Sequence, residues 1–313
     1  MKYDITALGE ILIDFAPAGK DDFGDSCYAQ KAGGAPLNLL ATAAKAGCKT
    51  AFIGKVGNDI FGSFLKDTVL KSGISDEGLT VDKRHNTTLA FVNLLENGDR
   101  EFSFLRNYGA DVFLEKDDIP IHLIEQSSIF HFGSLSLTSE PARSATEFAL
   151  LTAKRAGCLI SYDPNYREPL WQNKALAISM MKQYLQFVDI LKISKEELLM
   201  LTGYKKVSNA VKAIMEMGVQ LILVTDGPNG ASLYMADFSI SEPAYPAKTI
   251  DTTGAGDIFF GSFLSAFITD GCELQSITHE KAEKYLKYAV KISALSTEHH
   301  GAIASIPDLK EIK

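Results

Sequence analysis

The feature that most constrains this chain is a repeated alternation of short, β-branched runs with longer segments of helical period. Strand-like runs fall at 4–8, 50–56, 128–132, 158–163, 190–194 and 220–225, and helical patterns at 36–46, 61–72, 139–156, 175–187, 208–217, 255–269 and 280–296. Parallel strands cannot be joined by a tight turn, and a helix packing back on the sheet is the usual crossover. The order therefore predicts an α/β fold: a mostly parallel central sheet covered by helices. Several helical patterns end on a glycine (Gly47, Gly73, Gly157, Gly218), the residue that tolerates a left-handed cap. With 313 residues, 46% of them hydrophobic, the chain can bury a large core without outside help.

One stretch departs from the alternation. The runs 88–95 and 100–105 flank Glu96-Asn97-Gly98-Asp99, and Asn-Gly between two strand-like runs is a strong hairpin signal. Together with 11–16 and the region near 28–32, this hairpin is expected to form a small antiparallel sheet beside the main one. Such a sheet over the mouth of an α/β domain makes a lid. We read one domain over 1–313, with lid segments at approximately 11–32 and 87–107 inserted in it.

Composition closes off several classes of function. The net charge is −8 and the basic residues are dispersed, so nucleic acid, which needs a concentrated positive surface, is not an expected partner. No apolar run approaches the roughly 20 residues that span a bilayer, and the first residues lack the basic-then-apolar pattern of a signal peptide. A cytoplasmic location without membrane contact is the expectation. Cys27, Cys48, Cys158 and Cys272 are scattered without metal-ligand spacing, which favours reduced thiols over disulfides or zinc.

The chemistry concentrates at Ile250-Asp251-Thr252-Thr253-Gly254-Ala255-Gly256-Asp257. Glycines just ahead of an apolar helical run leave backbone N–H groups free at the positive end of a helix dipole, which is an anion site. Asp257, in the first turn, is placed to take a proton from a hydroxyl beside that anion, as phosphoryl transfer requires. The same residues also fit a capping turn in which Asp257 only complements the dipole. Gly33 and Gly34 permit close approach to the backbone, Asn38 offers a donor and an acceptor to hydroxyls, and Asp14 closes an apolar run where a carboxylate needs a partner.

The run Asp251-Thr252-Thr253-Gly254-Ala255-Gly256-Asp257 with Phe260-Gly261 resembles the C-terminal signature of the PfkB (ribokinase-like) carbohydrate kinase family. Lys31-Ala32-Gly33-Gly34-Ala35-Pro36-Leu37-Asn38 resembles its N-terminal signature, and Gly9-Glu10-Ile11-Leu12-Ile13-Asp14 its first strand. The resemblance covers nearly the whole chain. It implies a ribokinase-like three-layer sandwich, Asp257 as the base, and Gly254, Ala255 and Gly256 as the anion hole. It further implies sugar contacts from Asp14, Gly33, Gly34 and Asn38. Val224-Thr225-Asp226-Gly227-Pro228-Asn229-Gly230 is similar to the family's nucleotide turn and assigns Thr225, Gly227 and Gly230 to ATP. Lys192-Ile193-Ser194-Lys195-Glu196-Glu197 resembles the phosphate and magnesium segment, with Ser194 where many relatives have asparagine. Lys192 and Ser194 would then meet the nucleotide, as would Gly254 and Gly256, and Glu197 would organise Mg2+ through water. A monovalent cation, commonly potassium in the family, would lie near Asp251 and Thr253. Val290 stands where many relatives carry an asparagine, and Asp226 where many are uncharged, so neither is given a role.

Two arginines bear on the sugar. Arg106, ahead of Gly109-Ala110-Asp111, resembles a fructokinase pattern, and Arg167, in Asp163-Pro164-Asn165-Tyr166-Arg167, a pattern of fructokinases and 2-keto-3-deoxygluconate kinases. Ketodeoxygluconate kinases tend to carry tyrosines just before the first arginine, and Phe104 and Leu105 stand there instead, which suits a neutral hexose. The resemblance thus implies an ATP-dependent kinase acting on a primary hydroxyl, with fructose giving fructose 6-phosphate as the first expectation. Ketodeoxygluconate, then ribose or aminoimidazole riboside, are the alternatives, and a non-catalytic relative that only binds is the remote one. A homodimer is compatible with an apolar lid.

Overall fold

The computed structural model describes residues 2–94 and 100–309. Its strands are β1 (Tyr3–Leu8), β2 (Leu12–Lys20), β3 (Ser26–Gly33), β4 (Thr50–Gly57), β5 (Ile74–Asp82), β6 (Leu89–Leu94), β7 (Arg100–Leu105), β8 (Ser127–Gly133), β9 (Leu159–Asp163), β10 (Ile190–Ser194), β11 (Leu221–Thr225), β12 (Ala231–Tyr234) and β13 (Ser239–Glu242). The helices are α1 (Ala35–Lys45), α2 (Ile60–Lys71), α3 (Ile121–Glu125), α4 (Ala142–Ala156), α5 (Lys174–Tyr184), α6 (Lys195–Thr202), α7 (Val207–Met215), α8 (Ala255–Thr269) and α9 (His279–Ser296).

The main sheet has nine strands in the order β13-β12-β11-β10-β9-β8-β1-β4-β5. It is parallel from β11 to β5, and β12 and β13 close one edge as antiparallel strands. Side chains alternate faces along a strand, so two cores form. In β11, Leu221 and Leu223 point to a core shared with α1, α2, α8 and α9. Ile222 and Val224 point to a second core shared with α3, α4, α5, α6 and α7. The result is three layers, helix on sheet on helix.

Period two also fixes the polar strand ends. Ile190 faces the α8 side, so Lys192 on the same strand does too. In β9, Ile160 and Tyr162 face the opposite core, which sends Asp163 to the α8 side beside Lys192. Both therefore emerge at the carboxyl ends of parallel strands, where α/β sheets bind ligands.

The second sheet has the order β3-β2-β6-β7. Its hairpins β2–β3 and β6–β7 are antiparallel, as expected for the lid. The seam between them is parallel, pairing Asp14 with Ala90 and Phe15 with Phe91, an arrangement the sequence reading did not contain. Phe15 stacks on Phe91 with ring centroids 4.9 Å apart, which ties the two hairpins together. The turn expected at Glu96-Asn97-Gly98-Asp99 lies outside the described residues. Strands β5 and β13 and helices α3 and α6 were not foreseen. β5 carries Asp76, Glu77 and Gly78 within it, and as an edge strand it tolerates residues that a central strand would not.

Candidate active site

Gly254 caps α8 with φ 74°, a left-handed conformation, and a Cβ there would run into Ala302. The turn therefore needs glycine. The Ala255 amide donates back to the Thr252 carbonyl at 3.2 Å, so of the expected anion hole that N–H is already engaged, while a helix start leaves the amides that follow it without intrahelical acceptors. Asp257 follows in that turn and is only 8% exposed. A buried carboxylate needs partners, and Asn38 Nδ2 donates to Asp257 Oδ2 at 2.9 Å. Burial, with the nearby Asp163 charge adding to it, pushes Asp257 up to about 6, against the opposing pull of Asn38, Lys192 and Arg167.

Asn38 arrives from α1, whose start is set by Gly34 at φ 116°. A Cβ at Gly34 would collide with the Glu10 carbonyl, and one at Gly33 with the Asp14 carboxylate. The two glycines thus let the lid strand, the helix start and Asp14 share one corner. Asn38 Oδ1 is buried and has no partner among the described residues, so one acceptor remains for a hydroxyl. Asp14 is raised to about 6 chiefly by burial, while the Arg167 guanidinium draws it back down and Asp257 and Asp251 add to the rise. Arg167 itself is exposed and acts on both Asp14 and Asp257 through its charge.

Lys192 is buried and pairs with Asp163 at 2.8 Å. Burial opposes its charge, yet Asp163, Glu197 and Asp257 together hold its pKa above the ordinary lysine value. A Cβ at Gly256 would stand 2.8 Å from Lys192 Nζ, so the ammonium lies directly against the anion-site turn. A cation over free helix-start amides is a site for a concentrated negative charge.

Ser194 and Glu197 form a capping box at α6: Ser194 Oγ accepts from the Glu197 amide at 3.2 Å, and Glu197 Oε2 accepts from the Ser194 amide at 2.9 Å. Glu197 Oε1 also accepts from the Tyr166 amide at 2.6 Å, which anchors the loop carrying Arg167. Asp251 accepts from the Thr253 amide at 2.7 Å and the Gly301 amide at 3.0 Å. Beside this floor opens a groove of about 590 Å3 lined by Thr225, Gly227, Gly230, Ala255 and Gly256, with Val290 of α9 also on its wall.

Arg106 is placed differently from the expectation of a sugar-edge contact. It is buried, and its donors go to Asp111 Oδ2 at 2.7 Å, Thr138 Oγ1 at 3.0 Å and the Leu135 carbonyl at 2.9 Å. It braces the segment after the lid, with Thr88 also bonded to Asp111. Lys195 pairs with Asp226 at 2.7 Å, which accounts for that carboxylate.

Sequence reasoning missed Asp163 and Glu10. Asp163 stands beside Arg167 in the sequence pattern, and strand parity sends it to the face of Lys192. Glu10 Oε1 accepts from the Ala35 amide at 2.9 Å, closing the start of α1, and burial raises it to about 7. Tyr245 on the groove wall was also missed, because the irregular stretch before Asp251 carries no periodic signal.

Known proteins supply the remaining finding. The family "pfkB family carbohydrate kinase" matches residues 2–309. A relative named probable fructokinase-5 from Arabidopsis thaliana is 41% identical over 306 residues, covering 97% of this chain and 94% of that protein. A Xylella fastidiosa fructokinase with bound ATP superposes with a TM-score of 0.90 at 30% identity, covering 99% of this chain and 97% of the other. A Vibrio cholerae O395 fructokinase double mutant holding fructose, ADP and a potassium ion gives 0.88 at 30% identity, with 98% and 96% covered. With its signature glycines, its buried aspartate and residues 2–309 matched, the chain belongs to the pfkB family of carbohydrate kinases.

Proposed function

We propose that this protein is an ATP-dependent fructokinase that transfers the γ-phosphoryl group to the 6-hydroxyl of fructose, with Asp257 as base. The observation that carries the reading is the Asp257–Asn38 pair at the start of α8, beside Lys192. It sets a raised carboxylate next to helix-start amides and a buried cation. The relatives named fructokinases and the fructose-bound neighbour supply the sugar.

In this reading fructose lies between the lid and the floor. Asp14 and Asn38 take its hydroxyls, Gly33 and Gly34 allow its close approach, and Arg167 closes the edge with its charge. Arg106 contributes by bracing the lid-side segment. Asp257 orients the acceptor hydroxyl and takes its proton as the phosphoryl group arrives. The glycine amides of the Gly254–Gly256 turn, with Lys192, stabilise the charge on that group. The adenosine end occupies the groove along Thr225, Gly227 and Gly230, and Ser194 lies toward the phosphates. Lid closure excludes water, which would otherwise compete as the acceptor.

Magnesium, when bound with the nucleotide, supplies neutralisation of the phosphate charge. Each Glu197 oxygen already takes a backbone amide, so the carboxylate suits a hydrated ion held through water. Among the described residues no group of three or more His, Cys, Asp or Glu is placed to hold a metal ion. Potassium, which the Vibrio cholerae fructokinase holds, is assigned near Asp251 and Thr253 on the family resemblance, with the Asp251 carboxylate, held by the Thr253 and Gly301 amides, as its anionic neighbour. We further read the chain as one kinase domain with its lid inserted at approximately 11–32 and 87–107. We also read it as cytoplasmic, and as a homodimer through the lid. No described helix is long and apolar enough to cross a membrane.

ADP release from Mg-ATP with fructose, ketodeoxygluconate, ribose, glucose, aminoimidazole riboside and adenosine tests the assignment. Turnover on fructose well above the rest is expected. Preference for ketodeoxygluconate would keep the mechanism and reassign Arg167 to a carboxylate. Silence on all six, with fructose still binding, would leave a binding protein.

A further inference from the structure

A second cavity of about 410 Å3 lies between α8 and α9, away from Asp257. α8 contributes Ala266 and Thr269, and Ala46 closes one end. α9 contributes Lys284, Lys287, Tyr288 and Lys291. The three lysines sit at i, i+3 and i+7, so one helical face carries all of them. In a chain of net charge −8, such a concentration of positive charge around a hollow is unusual. None of the three forms an ion pair with a carboxylate among the described residues. Asp270, the cavity's acidic residue, accepts instead from Tyr285 Oη at 2.7 Å. Tyr288 is half-buried, and burial raises its hydroxyl, which keeps it a neutral donor.

The cavity also touches the groove through α9. That helix presents Val290, Ser293 and Ala294 to the groove and Lys284, Lys287 and Lys291 to the cavity. Lys291 Nζ lies 5.8 Å from the ring centroid of Tyr245, and Tyr245 is part of the groove wall. A ligand that draws the Lys291 ammonium toward itself weakens that cation–π contact and frees a wall of the groove.

We propose that this cavity is an effector site for a small organic anion with two or more negative charges, a phosphate ester foremost, and that its occupancy reaches the groove through Lys291 and Tyr245. The size suits one small molecule. The charged end meets the ammonium groups, and the carbon body lies on Ala46, Ala266 and the stem of Thr269. Binding at the cavity stands by itself, whereas its effect on ATP rests on the reading of the groove as the nucleotide site.

The test is calorimetry with a hexose 1,6-bisphosphate as probe, on protein saturated with ADP and fructose so that the active site is filled. One probe per chain is expected, with affinity falling as salt rises. The double variant Lys284→Gln/Lys287→Gln keeps helix propensity. It should bind at least about tenfold more weakly with unchanged basal turnover, as expected for the loss of two charge-assisted contacts. Equal binding by variant and parent, or no binding by the parent at millimolar probe, would overturn the site. Inorganic phosphate binding as tightly as the bisphosphate would overturn the organic part of the assignment. For the coupling, the probe should change the KM for ATP about two- to fivefold in the parent and not in Lys291→Gln. A bound probe that leaves the parent's KM unmoved would overturn it. Failure of the kinase reading would show as absent turnover without probe, which calorimetry distinguishes from a missing site.

Discussion

The floor around Asp257, which we read as the phosphoryl-transfer site, and the adjoining groove, which we read as the nucleotide site, share the start of α8, yet they are built by opposite rules. In the floor, charged side chains are buried and mutually tied: Asp257 to Asn38, Lys192 to Asp163, Glu197 to two backbone amides. No charged side chain lines the groove among the described residues, whose walls include Pro246, Ala247, Phe259 and Val290. In the Lys192–Asp163 pair neither charge can change without leaving the other unpaired, so that part of the floor is intolerant by construction. An apolar wall reads shape and loses little when one side chain changes. On the proposed reading the floor fixes the reaction, and the groove only has to hold a flat, partly apolar ligand.

The sharpest way to break this contrast is Asp257→Asn. Turnover should fall by about three decades or more while fructose binding, followed by titration, stays within a few-fold. Next comes Lys192→Met, which strands Asp163 as an uncompensated buried charge. A loss of about 3–5 kcal/mol in urea unfolding is expected, together with turnover reduced about a hundredfold or more. Adding Asp163→Asn to that variant should restore much of the stability and little of the activity. That outcome would separate the structural part of the pair from its part in catalysis.

A third effect is on pH. Asp257 and Asp14 each sit at about 6, so turnover at limiting fructose should fall on the acid side of about pH 6 as they take protons. Asp14→Asn should leave that limb shallower. The stability sign is opposite to that of a salt-bridged carboxylate. Between the ordinary aspartate value of 3.8 and about 6, the folded protein holds protons that the unfolded chain has released. Ionisation of these groups therefore lowers stability as pH rises through that window, and Asp257→Asn should melt higher than the parent at pH 8. An unchanged or lower melting temperature would contradict the raised value. The smallest effect belongs to the groove: Val290→Asn should move the KM for ATP by less than about threefold, with turnover unchanged. A larger loss there than in the floor would invert the comparison.

Much of this was legible in the sequence, for definable reasons. The anion-site turn is local: Gly254, Gly256 and Asp257 lie within four consecutive positions, and their order alone dictates a capped helix start. The pairing of β6 with β7 was visible through Asn-Gly and alternation, and 11–16 with 28–32 was expected in the same small sheet, but not the parallel seam pairing Asp14 with Ala90, because register between distant strands leaves no local mark. Arg106 shows the other limit. Its position near the lid was readable, yet its direction was decided by Asp111, Thr138 and Leu135, partners that a motif does not name. The Lys192–Asp163 pair falls between these cases. It joins residues 29 positions apart, but both strand ends were identifiable and parity places them on one face.

The measurement that tests the central claim most directly is phosphorus NMR of the product formed from Mg-ATP and fructose by the parent and by Asp257→Asn. The account predicts a monoester on the 6-oxygen with the parent, and no detectable ester with the variant over the same interval. A phosphate on another oxygen, or comparable product from the variant, would contradict it.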